Sequence, residues 1–287
     1  MSLATEFKQS LKTVDSEEIL DLVIFRPISF VLVKLIYNTN ITPNHISIVA
    51  LFFGILSGIF YGFGTYSFFV LASASFAVCN TLDCMDGQLA RLKKNGTRIG
   101  RVIDGFIDYI TSISIFLGLG IAMTNITGDA TYSWILTVAA GISKALQNMF
   151  FDHYRNMYLE YVYSKVSNLD DEIEEYSEEQ EKLRSQKGKY LEKILISVYL
   201  SYSKFQKNSS KYERLNVSSE EYKRKNKFLL RVWSWIGSTT HMVALIIFSL
   251  MNRVDLYLIV TVSLGNIIFV ILWIIQRKVI KSFNTKK

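Results

Sequence analysis

Asp83 and Asp86 stand three residues apart, and Asp104 and Asp108 stand four apart a short way downstream. Either spacing places two carboxylates on one face of a helix. Only the basic run LKKNGTRI separates the two stretches, so their helices are antiparallel neighbours and all four acids can converge. An oxygen-only donor set without His or Cys suits Mg²⁺ or Mn²⁺ and suits zinc poorly. Four carboxylates can hold two such ions, which stabilise charge on phosphoryl oxygens and help to activate a nucleophile. Helix caps and salt bridges to Arg91 and Arg101 would account for one or two of the aspartates, but not for four at converging spacing. Gly87, Ala90 and Gly100 thin the helix surface beside the acids, leaving room for a flat base or a phosphate.

The elements that must position these acids are membrane helices. Half of the 287 residues are hydrophobic, and they come in blocks near the ~20 residues that cross ~30 Å of hydrocarbon. Six spans are expected, at about 46–61, 66–83, 100–123, 132–151, 228–250 and 256–275. Asp108 then lies on the order of 10 Å along the third span, where an unpaired carboxylate is expensive. The loops opposite the termini carry one basic residue, Arg253, whereas RLKKNGTRIGR and RKVIKSFNTKK lie on the side of the termini. The positive-inside rule puts both termini and the acids in the cytoplasm, and a bacterial inner membrane is the expected location. The net charge of +7 lies mostly beside apolar blocks, so lipid headgroups, not nucleic acid, are the expected partner.

The fold class is therefore an all-α integral membrane protein of six transmembrane helices with an N-terminal interfacial amphipathic helix. Residues 1–41 read as a cytoplasmic N-terminus holding that helix at about 24–37, whose Arg26 and Lys34 suit the headgroup layer. Residues 42–164 hold four spans, 165–226 form a cytoplasmic helical insert, and 227–287 hold two spans and a basic tail. Gly54, Gly58 and Gly62 make a small-residue ridge that serves packing inside the bundle or across a dimer. In the insert, Leu191, Ile194, Leu195, Val198 and Tyr199 repeat at helical spacing, as an amphipathic piece touching membrane or partner would. Cys79 and Cys84 read as small packing residues, since two sulfurs make neither a disulfide framework nor a good zinc site.

The chain resembles the CDP-alcohol phosphotransferase family, whose signature D-x2-D-G-x2-A-R-x8-G-x3-D-x3-D is met by Asp83, Asp86, Gly87, Ala90, Arg91, Gly100, Asp104 and Asp108. The resemblance implies a homodimeric membrane enzyme with two divalent cations, Mg²⁺ or Mn²⁺. It implies that Asp83, Asp86 and Asp104 hold metal, and that Asp108 joins the second ion and acts as general base on the acceptor hydroxyl. Gly87, Ala90 and Gly100, together with Asp83 and Asn44, would contact the cytidine nucleotide, and Arg91 would steady its diphosphate. Asn44 belongs to Thr42-Pro43-Asn44, which matches the segment preceding the family's first span. The implied reaction is attack of an alcohol on a CDP-linked phosphate, releasing CMP.

The acceptor is read from the fourth span. Lys144 lies at a depth similar to Asp108, with His153 and Arg155 nearer the interface. Such donors suit a phosphorylated acceptor, so CDP-diacylglycerol with inositol 1-phosphate is the expected pair. Lys144 could equally neutralise the aspartates, and Arg155 could pair with headgroups. Glycerol phosphate, serine and free inositol are competing acceptors. CDP-ethanolamine or CDP-choline transferring a headgroup to diacylglycerol is the reversed logic. A divalent-cation channel or transporter, and a non-catalytic scaffold, are readings from other classes, which aspartate substitutions separate from the transferase.

Overall fold

The computed structural model describes residues 2–96, 98–164, 169–184, 188–190, 193–194, 196–197, 199–201, 215 and 217–284. Among these residues there are helices and no strand. In chain order they are α1 (Leu3–Ser10), α2 (Arg26–Ile36), α3 (Pro43–Gly62), α4 (Tyr66–Lys93), α5 (Arg98–Thr127) and α6 (Ala130–Tyr163). The insert contributes α7 (Leu169–Arg184), and the last part holds α8 (Ser219–Trp233), α9 (Ser238–Leu250), α10 (Val254–Val260) and α11 (Asn266–Asn284). A 3₁₀ turn at Ser234–Ile236 links α8 to α9, and π turns at Asp21–Phe25 and Thr261–Gly265 lead into α2 and α11.

Local chemistry sets the boundaries. Thr42 caps α3 by accepting from the His45 amide, the His45 ring accepts from the Thr42 amide, and Pro43 sits where no amide partner is needed. Asp129 caps α6 through the Tyr132 amide at 3.0 Å, just after Gly128 turns the chain at φ +73°. Lys94 ends α4 in the left-handed region, φ 52°, so α5 returns antiparallel after a short connection. α4, α5 and α6 have 28, 30 and 34 residues. At ~1.5 Å per residue each exceeds a ~30 Å hydrocarbon layer by several turns. Asp83, Asp86 and Asp104 lie toward the α4 and α5 ends joined by that connection.

Five helical stretches are long and apolar enough to cross a membrane: Pro43–Gly62, Tyr66–Lys93, Val102–Thr127, Ser219–Leu250 and Val254–Phe283. This makes the chain an integral membrane protein. The expected fourth span, α6, is long enough but more polar, because Lys144, Gln147 and Asn148 interrupt it. Its pattern is inverted relative to a soluble helix. Ile135, Val138, Ile142, Leu146 and Met149 are exposed on one side, while Thr137, Ser143, Lys144 and Gln147 are buried on the other. Gln147 ties α6 to its neighbours, its Oε1 accepting from His241 Nε2 at 2.8 Å and its Nε2 donating to Asn266 Oδ1 at 2.9 Å. Those bonds satisfy polar groups that would be costly inside an apolar layer.

Packing divides along the helices. Tyr61, Phe69, Ile115, Leu119, Met123, Leu245 and Tyr257 form one core, and Phe151, Tyr154, Tyr222, Trp233 and Leu272 form a second between α6, α8 and α11. The glycine ridge is used within the bundle, where Gly54 faces Thr111, Gly58 faces Ser114 and Gly62 faces Gly118, all on α5. In the insert, Tyr176 and Leu183 of α7 pack on Val102 at the start of α5. Leu191, Leu195 and Val198 lie outside the described residues. Ile194 is exposed, and Tyr199 rests on Tyr176 with ring centroids 4.5 Å apart.

The segment before α2 is packed into the bundle. Ser16, Glu17 and Glu18 are buried there. Glu18 Oε2 accepts the Thr239 amide at 3.1 Å at the start of α9, and Gly237 leaves the space its carboxyl fills. Burial, and secondarily Asp21, pushes the Glu18 carboxyl up to about 8, with Arg155 opposing. The unfolded carboxyl ionises near 4.5 while the folded one stays protonated up to about 8, so stability is full below ~4.5, falls across that window and levels off above it. At about 1.4 kcal/mol per unit, the penalty grows to a few kcal/mol. Glu18→Gln keeps an acceptor but cannot ionise. In thermal melts the variant should match the wild type near pH 5 and exceed it by several °C at pH 8.5. A gap that stays constant across that range would show that Glu18 is not the titrating group.

Candidate metal centre

Three aspartates meet where α4 and α5 run side by side. Asp83, Asp86 and Asp104 each offer one carboxylate oxygen such that all three lie within 4.8 Å of one another. Asp86 is buried, the other two half-buried. Three hard anionic oxygens at that separation repel each other unless a cation or protons intervene, and the donor set fits a divalent ion that prefers oxygen. Asp108 lies one turn further along α5, outside that group, with an exposed side chain.

A hydroxyl from a third helix completes the centre. Ser47 Oγ, on α3, donates to Asp86 Oδ2 at 2.5 Å and also reaches the Pro43 carbonyl at 3.1 Å. Ser47 lies one turn after Asn44, which is itself exposed at the head of α3. Sequence reasoning missed Ser47. Its three-residue offset from Asn44 was the available signal, since it shares that residue's face.

Gly87 has a role visible in the geometry. A Cβ there would meet the Arg91 guanidinium at 3.2 and 3.3 Å, so the glycine lets Arg91 lie across the helix. Arg91 Nε donates to the Ser10 carbonyl, while its Nη2 is buried without a hydrogen-bond partner among the described residues. A guanidinium held at one nitrogen with another free is suited to an anionic oxygen. Ala90 and Gly100 are half-buried on the same helix pair.

The cations of α6 are separately engaged. Lys144 is buried, and its Nζ donates to Ser112 Oγ at 3.1 Å, one turn beyond Asp108, and lies over the Phe116 ring. Arg155 forms an ion pair with Asp152 at 2.9 Å and lies over Phe151, with Nε buried and unpartnered among the described residues. His153 packs edge-on to Tyr154. Lys144 therefore adjoins Asp108, while Arg155 is paired three turns away on the same helix.

An integral membrane helix bundle with a carboxylate cluster able to hold a divalent cation is the class of protein that fold and site define. Residues 40–161 match the model of the CDP-alcohol phosphatidyltransferase family. That stretch runs from just before α3 to near the end of α6 and contains all eight signature positions. A comparison with curated proteins finds no match. Family and cluster together support a metal-assisted transfer reaction that uses a CDP-alcohol.

Proposed function

We propose that this chain transfers a phosphatidyl group from CDP-diacylglycerol to an alcohol acceptor, with inositol 1-phosphate as the preferred acceptor, and releases CMP. The observation that carries the reading is the meeting of Asp83, Asp86 and Asp104 inside the stretch that matches the family. Two divalent cations, Mg²⁺ or Mn²⁺, would supply charge stabilisation at the transferring phosphoryl group and activation of the acceptor hydroxyl. Asp83, Asp86 and Asp104 would hold them, with Asp108 joining the second. Asp108 is also the general base, since of the four acids it is the one most open to an acceptor hydroxyl. Arg91 takes the diphosphate with its unpartnered Nη2. Asn44, Gly87, Ala90 and Gly100 line the nucleotide's place, and Lys144 and Arg155 receive the acceptor.

The topology in this reading has α6 as a sixth span, which its apolar exterior and polar interior support. Both termini and the site then face the cytoplasm, where CMP and a polar acceptor are soluble, and two copies of the chain form a homodimer. A lipid donor reaches such a site sideways from the bilayer, without extraction into water.

The test is CMP release by the purified protein with CDP-diacylglycerol against inositol 1-phosphate, glycerol phosphate, serine and inositol, alongside CDP-ethanolamine with diacylglycerol. Turnover with CDP-ethanolamine and none with phosphorylated acceptors would overturn the assignment. Lys144→Met sharpens it. If Lys144 binds the acceptor phosphate, KM for that acceptor should rise about tenfold or more with KM for the CDP-lipid unchanged, in line with ~1.5–3 kcal/mol for a charged hydrogen bond. A uniform fall in kcat for charged and uncharged acceptors alike would instead assign Lys144 to neutralising Asp108.

A further inference from the structure

The metal helix α4 has a second functional face. At ~100° per residue, Asp83, Asp86, Gly87 and Ala90 share one side, while Thr81, Cys84, Gln88 and Arg91 are rotated away by roughly 130°. The structure binds every one of that second set to the N-terminal segment. Ser29 Oγ donates to the Thr81 carbonyl at 2.7 Å, and Arg26 Nη1 donates to the Cys84 carbonyl at 3.1 Å. Gln88 Nε2 donates to Ser10 Oγ at 3.1 Å and to the Arg26 carbonyl at 3.2 Å, and Arg91 Nε donates to the Ser10 carbonyl. All the N-terminal partners precede residue 40, outside the stretch that matches the family.

Arg26 is the junction of this brace. Its Nη2 and Nε hold Glu17 Oε2 at 2.9 and 3.2 Å, while its Nη1 holds Cys84. The pair is largely enclosed, with side-chain exposures of 14% and 6%. Glu17 is fixed at its other oxygen by the Lys12 amide at 3.0 Å, and its carbonyl accepts from Arg231 of α8 at 2.9 Å. The Cys84 carbonyl lies in the helical turn between Asp83 and Asp86, so a group fixed to it fixes the turn that presents both carboxylates. A guanidinium fork is the side chain that can grip a carboxylate and a carbonyl in two directions at once.

We propose that Arg26 is a positioning residue for the metal centre, pinning the Asp83–Asp86 turn of α4 to a Glu17-anchored N-terminal brace. The proposal rests on the metal-centre reading above. Groups that orient metal ligands without touching the ion are worth ~10–100-fold in metal affinity. The enclosed cation also offsets part of the repulsion among the three acids before an ion arrives.

The experiment titrates Mn²⁺ into the full-length protein in detergent, following free Mn²⁺ by electron paramagnetic resonance, with metal-dependent CMP release in parallel. Arg26→Gln should weaken Mn²⁺ binding by about tenfold or more. Its kcat should largely recover at saturating metal, with KM for the CDP-lipid little changed, a split that general loss of folding does not produce. Should Arg26→Gln fail to fold, Arg26→Lys keeps the charge without the fork and should weaken binding at least several-fold. Mn²⁺ affinity equal to wild type in a folded Arg26 variant overturns the proposal. Absence of Mn²⁺ binding in the wild type overturns the metal-centre reading itself, and this control separates the two failures.

Discussion

Asp86→Asn should reduce transfer by about a thousandfold or more and remove the stabilisation that a divalent cation gives the folded protein. Asp86 is the buried member of the three-acid cluster and the one held by Ser47 at 2.5 Å, so its loss leaves only the two half-buried acids of that cluster to hold an ion. An ion that binds only the folded state raises the melting temperature by mass action, by ~2.7 kcal/mol at a hundred times its dissociation constant. Melts with and without Mg²⁺ or Mn²⁺ therefore read the site independently of turnover. Removing one of three crowded negative charges should leave the metal-free protein as stable as the wild type, or more so. That result would separate a lost metal from a lost fold. Asp108→Asn is the contrasting case. Its carboxylate stands outside the cluster, so the variant should keep most of the metal-induced shift while turnover falls by ~10²–10⁴, the usual worth of a general base. Asp86→Asn with undiminished metal stabilisation would refute the centre, and Asp108→Asn with undiminished turnover would refute the base.

Much of that centre was legible because one helix period carries it. The three- and four-residue offsets among the aspartates place each pair on a face, and the short basic connection brings the faces together. Asp108 shows where the period stops being informative. It shares a face with Asp104, yet one turn of ~5.4 Å along the axis leaves it outside the group whose oxygens meet within 4.8 Å. Thr42 and Pro43 announce the start of α3 for the same local reason that makes any cap readable. What was not legible depends on contacts between distant parts of the chain. Ser47 reaches Asp86 across 39 positions, and Arg26 reaches Cys84 across 58. A periodicity can say which face of its own helix a residue occupies, but not which other element covers that face. The polar run of α6, expected from the sequence as the fourth span, shows the same dependence on distant partners. Lys144 and Gln147 lower the apolarity by which a span is recognised, although both are buried against partners that their own stretch of sequence does not contain.

The glycine ridge was ambiguous for that reason, and the packing of α3 on α5 resolves its use into a prediction about folding. A Cβ added at Gly58 would stand 2.5 Å from both the carbonyl carbon and the oxygen of Ser114, which are backbone atoms of α5. A Cβ at Gly118 would strike the Gly58 carbonyl in return. A flexible side chain could turn away from such a clash, but backbone can yield only if the two helices move apart. That separation would also displace Thr111 from Gly54 and, one turn on, the segment carrying Asp108. Gly58→Val should therefore cost about 3 kcal/mol or more, at or above the upper end of ordinary overpacking, and should abolish a cooperative melt or the monodisperse detergent-solubilised species. Gly62→Ala is the internal control, because the nearest atom to its Cβ is the Gly118 Cα at 3.8 Å, an ordinary contact. That variant should melt within a few °C of the wild type. If the ridge instead served a dimer, Gly58→Val would give a folded monomer with its melting temperature preserved. An unfolded or aggregated Gly58→Val beside an intact Gly62→Ala assigns the close approach to α3 and α5 of one chain.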